Sequence, residues 1–153
     1  MTNLTNSSPD SSDAASGLPV YVSGAELHSL LGGAAAVDAL EAGFLARAEA
    51  GASEAPRVVL EHDQGDFLLM PAAGPEGAGA KLVTVVPGNP GRGLPLINGI
   101  YVLFSRENLQ PELLIDGGSL TRLRTAAVSA LATRHLARPE SRRLVVFGAG
   151  AQA

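Results

Sequence analysis

Several residue types are absent or scarce in this 153-residue chain, and each absence excludes a class of chemistry. There is no cysteine, so the chain can form no disulfide, thiolate zinc site or cysteine nucleophile. No apolar stretch approaches the roughly 18 residues that a membrane helix needs. No charged and then apolar N-terminal segment resembles a secretory signal. We therefore expect a cytoplasmic protein without a membrane partner.

Charged residues are also few. They make up 17% of the chain with a net charge of -4, and the basic ones are dispersed, which gives no electrostatic reason to bind nucleic acid. His28, His62 and His135 lack the spacing of metal ligands, so no metal site is predicted. The G-x-S-x-G motif of hydrolases is missing. With 46% hydrophobic residues, the composition fits one ordinary globular domain.

Lysine is the scarcest charged residue. The only one is Lys81, and it stands at the head of an apolar run, residues 81–86, that is predicted to form a strand. Its methylene stem could lie along the sheet while its ammonium reaches water. Alternatively, a lysine beside a core strand could serve a function. The residue itself leaves both interpretations open.

The first third of the chain predicts a leader and two helices. Residues 1–18 are polar and are expected to be a disordered leader. Ser23 is the predicted N-cap of a short helix ending at Leu31, because Glu26 stands at the capping-box position. A second helix is predicted over residues 34–50. Its apolar face carries Val37, Leu40 and Phe44.

The middle of the chain has the pattern of a small, mainly antiparallel sheet. Short β-prone runs alternate there with glycine- and proline-rich turns, and two pairs of runs look like hairpins. A third helix and a final apolar strand follow. The predicted strands are residues 57–61, 67–70, 81–86, 97–104, 112–115 and 143–147, and the third helix is residues 120–137.

The C-terminal Gly148-x-Gly150-x-x-Ala153 matches the G-x-G-x-x-G/A dinucleotide fingerprint. Its glycines allow a tight turn and a close approach of the backbone to a pyrophosphate. A plain strand-to-loop turn is the alternative. The expected helix and acidic ribose ligand would lie beyond Ala153, and a first Rossmann strand alone has no sheet to join. We therefore expect the chain to be the front part of a longer protein.

Two arginines lie near the start of the third helix, where the helix dipole disfavours cations. Helical spacing predicts that Arg124 faces inward and that Arg122 faces solvent. An inward arginine there suits a bound anion or an ion pair with a carboxylate such as Asp116, and both remain open. Arg57, at the head of an apolar strand, could also point inward.

Residues 81–89, 93–95, 120–127 and 148–153 carry motifs that resemble, in order and spacing, those of the ornithine cyclodeaminase and mu-crystallin family. The resemblance covers about residues 20–153. It implies an α/β chain in which an α+β substrate-binding and dimerisation domain, residues 19–140, precedes a Rossmann domain that starts at residues 141–153.

The same resemblance implies a set of site residues. Three cations match the family positions that hold a substrate carboxylate next to the nicotinamide, and a threonine matches a position near the cofactor phosphates. The fingerprint loop would cover the pyrophosphate, and the family's catalytic Asp would lie beyond Ala153. The cations are Arg57, Lys81 and Arg124, and the cofactor-binding residues are Thr125, Gly148, Gly150, Ala151 and Gln152.

The activity implied is that of an NAD- or NADP-dependent enzyme acting at the α-carbon of a small amino or imino acid, as a homodimer. Ornithine-specific members carry a hydroxyl residue where this chain has Leu96, so a ketimine reductase or an alanine dehydrogenase is an alternative to a cyclodeaminase. A non-enzymatic ligand-binding protein and an inactive fragment are further alternatives. We expect the 153-residue chain alone to be inactive and to bind NAD only weakly.

Overall fold

The computed structural model describes residues 18–50, 55–74 and 77–150. It contains one six-stranded sheet and three α-helices, the mixed α/β architecture that the sequence predicts. The strands are β1 Val20–Val22, β2 Val58–His62, β3 Gly65–Gly74, β4 Gly77–Val85, β5 Ile97–Phe104 and β6 Pro111–Asp116, and the helices are α1 Gly24–Leu30, α2 Gly33–Ala50 and α3 Gly117–Leu136.

The sheet has the strand order β1-β6-β5-β4-β3-β2. All neighbours are antiparallel except β1, which pairs in parallel with β6. The expectation of a mainly antiparallel sheet is therefore confirmed. One expectation within it is wrong, because β4 begins at Gly77 and Lys81 lies in the middle of the strand, not at its head. The small residues before Lys81 gave no strand signal, but pairing with β3 and β5 extends the strand over them.

The two faces of the sheet differ because side chains alternate along each strand. We call the face that carries Lys81 and Val83 of β4 the helix face, and the one that carries Leu82 the open face. Helix α3 contacts β4, β5 and β6, while α1 and α2 both contact α3. The helices thus cover the side on which Val83 is buried.

The main core cluster lies between α2 and α3. It consists of buried Ala36, Val37, Ala127 and Leu131, with partly buried leucines packed against it. Two of the apolar positions predicted for α2, Val37 and Leu40, belong to this cluster. The third, Phe44, does not belong to the cluster, and it is 53% exposed.

The sequence predicts the start of one helix correctly and misses the start of another. Ser23 and Glu26 form the predicted capping box of α1. In contrast, α3 begins three residues before the predicted position 120, because Asp116 caps it by accepting a hydrogen bond from the Ser119 N–H at 2.6 Å. Gly117 and Gly118, which the prediction left outside the helix, are its first residues.

The predicted strand over residues 143–147 does not form in the described part of the chain. Its side chains from Leu144 to Phe147 are 57–95% exposed. A strand needs a hydrogen-bonding neighbour, and the described sheet ends at β1 and β2. The predicted leader lies outside the described residues, apart from Leu18, which is 92% exposed.

In the part of the chain that the structure describes, no single helix is long and apolar enough to cross a membrane. Helices α1 and α2 reach that length and composition only together, and they are bent by 80° at their junction. Among the described residues, no three His, Asp or Glu side chains are grouped so that they could hold a metal ion.

Candidate active site

Three cations that are far apart in the sequence come together on the helix face. Lys81 lies opposite Met70 of β3 and Tyr101 of β5. Arg57 precedes β2 by one residue, and continuing the pairing of Val58 with Leu69 places it opposite Met70, on the same face. Arg124 comes from α3, which covers that face. Its residue is exposed and not buried as the inward-facing prediction implies, but its charge acts on Lys81.

The pKa of Lys81 is affected by the other two cations. Partial burial lowers the pKa of its ammonium, and the positive charges of Arg124 and then Arg57 lower it further. None of the ion pairs formed between described residues involves any of these three cations. A bound anion would offset their mutual repulsion.

The structure does not support the alternative that Arg124 pairs with Asp116. The Asp116 carboxylate is occupied at the start of α3, where hydrogen bonds from Ser119 are the main cause of its lowered pKa. Arg122 contributes a smaller lowering, and Arg124 is not among the causes. The cation that faces Asp116 is therefore Arg122, and Arg124 acts on Lys81 instead.

The row of side chains next to the cations is apolar. Val59 pairs with Leu68, which pairs with Val83, and all three lie on the helix face, two residues along their strands from the cation row. The nearest acidic pair on that face, Glu61 and Asp66, stands a further two residues away. Four residues of strand span about 13 Å, so these carboxylates lie well apart from the cations.

The start of α3 fixes where Arg124 stands. Gly117 packs so closely on β5 that an added Cβ would lie 2.6 Å from the backbone carbon of Gly99 and 2.7 Å from the nitrogen of Ile100. Neither contact can be relieved by a side-chain movement, since both involve backbone atoms. The glycine thus lets the first turn of α3 rest directly on the sheet.

Arg122 is exposed, as the helical spacing predicts. Its guanidinium also has a protein partner, because its Nη2 donates a hydrogen bond to the Oγ of buried Ser119 at 2.7 Å. The guanidinium is therefore held at the first turn of α3. The sequence signal that could have located it is the three-residue spacing between serine and arginine on one helix face.

A cavity of about 590 Å³ lies beside this turn. Its walls come from three segments: residues 95–97 before and within β5, the first turns of α3 with Thr121 and Arg122, and the C-terminal segment with Gly148 and Gly150. Gly148 has a φ of +96°, which favours glycine, and an added Cβ at either glycine would meet open space. The fingerprint backbone is accessible from the cavity.

Two threonine hydroxyls of α3 lack partners among the described residues, and one of them, that of Thr121, belongs to a residue that lines the cavity. The Oγ1 atoms of Thr121 and Thr125, one helical turn apart, are buried and make no hydrogen bond to any described residue. A buried unpaired hydroxyl costs free energy. Together with the open glycines, these hydroxyls fit the phosphates of a dinucleotide. Ala151 and Gln152, also predicted to bind the cofactor, lie outside the described residues.

Several known proteins are similar to this chain in sequence and in fold. The profile of the Ornithine cyclodeaminase/mu-crystallin family matches residues 20–153. A Delta(1)-pyrroline-2-carboxylate reductase of Bacillus cereus is 44% identical over 94 residues, which are 60% of this chain and 29% of that protein.

Two solved structures superpose on the fold. An archaeal alanine dehydrogenase dimer with bound NAD has a TM-score of 0.74 and 36% identity, covering 80% of this chain and 38% of its own. Delta(1)-pyrroline-2-carboxylate reductase of Thermococcus litoralis, in complex with NADH and L-proline, has a TM-score of 0.78 and 29% identity, covering 87% and 42%. This chain spans less than half the length of each relative. From its motifs, its fold and the profile match, the chain belongs to the ornithine cyclodeaminase/mu-crystallin family.

Proposed function

We propose that the chain is the substrate-binding part of an NAD- or NADP-dependent enzyme that acts at the α-carbon of a small amino or imino acid. The observation that carries this proposal is the convergence of Arg57, Lys81 and Arg124 on one face of the sheet. The three cations repel one another, and a bound carboxylate would offset this repulsion through charge-assisted hydrogen bonds.

In this proposal the cations hold the substrate by its carboxylate. Arg124 and Arg57 donate charge-assisted hydrogen bonds from planar guanidinium groups, while Lys81 adds a compact positive charge from the sheet. Fixing the carboxylate orients the α-carbon and lowers the entropic part of the barrier. The apolar row of Val59, Leu68 and Val83 favours an uncharged substrate side chain.

The cofactor would lie over the fingerprint. Gly148 and Gly150 offer backbone close to the pyrophosphate, and Thr125 supplies an unpaired hydroxyl to a phosphate oxygen. Ala151 and Gln152 would continue this loop. When bound, the nicotinamide supplies or accepts the hydride at the substrate α-carbon. The chain's own contribution is to orient both molecules.

We also propose the domain division expected from the sequence, with residues 19–140 binding substrate and residues 141–153 opening a Rossmann domain. The exposed apolar side chains from Leu144 to Phe147 support it, because they have the character of a buried strand without a neighbour. The remaining Rossmann strands and a catalytic Asp would be supplied beyond Ala153. The 153-residue chain alone would then be inactive.

A homodimer is proposed through the open face. Most of its side chains in neighbouring strands are apolar, with Thr84 and Asn98 as polar exceptions, and none of the apolar ones named below is buried by the described residues. They include Val58, Leu60, Phe67, Leu69, Leu82, Ile100, Val102 and Leu114. Exposed apolar surface of this extent is typical of an interface, and a second copy of the same face is its natural partner. Sedimentation velocity would detect the dimer.

The reaction is tested in the protein as its gene encodes it, after its intact mass has been compared with 15.5 kDa. The panel contains Δ1-pyrroline-2-carboxylate, L-alanine and L-ornithine. A reductase consumes NADH stoichiometrically, an alanine dehydrogenase reduces NAD with alanine, and a cyclodeaminase releases ammonia without net cofactor turnover. Binding without conversion of any compound would support the ligand-binding alternative, and no binding would contradict the proposal.

The role of the cations is tested by Arg124→Ala. Losing a hydrogen bond to a charged group costs about 1.5–3 kcal/mol, so kcat/KM should fall roughly ten- to a hundredfold. Arg134→Gln is the matched control, since Arg134 lies on the same helix but bonds to α2. If kcat/KM is equal in the two variants, Arg124 does not bind substrate.

A further inference from the structure

We propose that Arg122 and Thr121 form a second anion-binding pair, separate from the three substrate cations, that holds the pyrophosphate of the dinucleotide from the α3 side of the cavity. The inference rests on the proposed function, because it assigns two further residues to the cofactor. Neither residue was expected to bind a ligand from the sequence.

Arg122 is held in place before any ligand arrives. Its guanidinium bonds to Ser119, whose own backbone N–H bonds to the carboxylate of Asp116. Only one guanidinium nitrogen is used in that bond to Ser119. A braced arginine loses less side-chain entropy when it binds a phosphate.

Thr121 supplies a second unsatisfied group. Its Oγ1 is buried without a hydrogen-bond partner among the described residues, and the residue lines the same cavity as Arg122. A ligand oxygen would satisfy this hydroxyl and remove the cost of leaving it unpaired. The sequence places it one turn before Thr125, so two hydroxyls stand in line along α3.

The position of the pair favours the cofactor over the substrate. Gly148 and Gly150 line the cavity together with Arg122 and Thr121, and their backbone is open to it. The field of Arg122 acts on Asp116, whereas the cations that act on Lys81 are Arg124 and Arg57. Arg122 and the three substrate cations therefore act on different side chains. The three cations lie at the sheet, and Arg122 lies beside the fingerprint glycines.

The chemistry of the pair selects a phosphate group. Guanidinium and hydroxyl donors match phosphate oxygens, and a dinucleotide fingerprint places its pyrophosphate at the glycine turn. Removing the charged donor Arg122 should therefore lower the affinity roughly tenfold or more.

The experiment measures the binding of NADH or NADPH and, separately, of inorganic pyrophosphate by calorimetry in the protein as its gene encodes it. Arg122→Gln keeps a polar side chain, and Arg138→Gln is the control, because Arg138 is exposed and pairs only loosely with Glu140 at 3.6 Å. Thermal melts check that each variant is folded. We expect Arg122→Gln to weaken both ligands at least tenfold and the control to leave them unchanged.

Thr121→Val should weaken both ligands several-fold, and Thr121→Ser, which keeps the hydroxyl, should restore them. Wild-type binding of both ligands that is unaffected by Arg122→Gln and Thr121→Val overturns the inference and leaves the proposed function standing. Binding of pyrophosphate but of neither NADH nor NADPH, sensitive to Arg122→Gln, supports the anion site and contradicts the proposed function. Failure of the wild type to bind pyrophosphate, NADH or NADPH contradicts both.

Discussion

The two ends of α3 use arginine in opposite ways. At the C-terminal end, Arg134 donates hydrogen bonds of 2.9 Å to both Asp38 and Glu41 of α2, and His135 bonds to Glu41 at 2.6 Å. Each of these two basic groups has an acidic partner, and the helix dipole favours cations at that end.

At the N-terminal end the dipole opposes the arginines. Arg124 acts on Lys81 instead of a carboxylate, and Arg122 shares the first turn with the Asp116 cap. The cations at one end thus join two helices, while Arg124 at the other end adds to the positive charge around Lys81. Pairing with a carboxylate, more than burial or residue type, separates the structural Arg134 from Arg124, which we propose to bind the substrate.

The packing of the N-terminal end of α3 on the sheet is tested by Gly117→Ala, the variant for which we expect the largest effect. The new methyl group would meet the backbone of Gly99 and Ile100, and overpacking of this kind costs about 1–3 kcal/mol of unfolding free energy. Denaturant unfolding would measure the loss. Gly118→Ala is the control, because its Cβ would meet nothing closer than 3.5 Å. Equal stability of the two variants would show that α3 is not seated through Gly117.

The C-terminal end is tested by Arg134→Gln. This change removes the bonds to Asp38 and Glu41, which lie at the surface, so we expect the melting temperature to fall by only about 1–3 °C. The fall should shrink as salt is added, because salt screens exposed ion pairs. Thermal unfolding at low and high ionic strength provides the measurement. A fall that does not depend on salt would contradict an electrostatic role.

The smallest expected effect has the opposite sign. Lys81→Met removes a cation whose pKa is lowered by burial and by two arginines, so the folded chain should become more stable by roughly a few tenths of a kcal/mol after solvent screening. The penalty in the wild type is present below the lowered pKa and disappears as the pH rises toward about 10.4, the pKa of lysine in the unfolded chain.

The gain from Lys81→Met should therefore be clear at neutral pH and vanish once the pH exceeds the lysine pKa of the unfolded chain. Chemical unfolding at several pH values would reveal this, with Leu82→Met as a neighbour on the open face that changes no charge. Destabilisation by Lys81→Met at neutral pH would mean that its packing outweighs the repulsion. The comparison of the two helix ends would then lose its electrostatic basis.

Sequence patterns predicted those elements whose signals are local. The bounds of β5 and the capping box of α1 agree with the structure, since alternation and side-chain caps depend on neighbouring residues. The β2–β3 and β5–β6 hairpins were also predicted correctly, because a short polar turn separates two β-prone runs in each of them.

Features that depend on distant contacts were missed. The predicted third helix left out Gly117, because the close contact that requires glycine there is with Gly99 across the sheet. The three-residue β1 is too short to show a period, and it exists through its pairing with β6. The cavity beside Arg122 was missed, because helical spacing does not reveal a cavity formed with the C-terminal segment. The grouping of the three cations followed from family resemblance and not from spacing.

The pairing of β4 with its neighbours determines which face of the sheet carries Lys81. Lys81 faces the helices only because Met70 and Tyr101 stand opposite it, and a slip of one residue would turn Lys81 to the open face and Leu82 toward the cations. A single inserted residue before Lys81 would thus exchange the side chains of the two faces along the shifted part of the strand. Strand register is itself a determinant of the charge on the helix face, so the site can be lost without changing any of its residues.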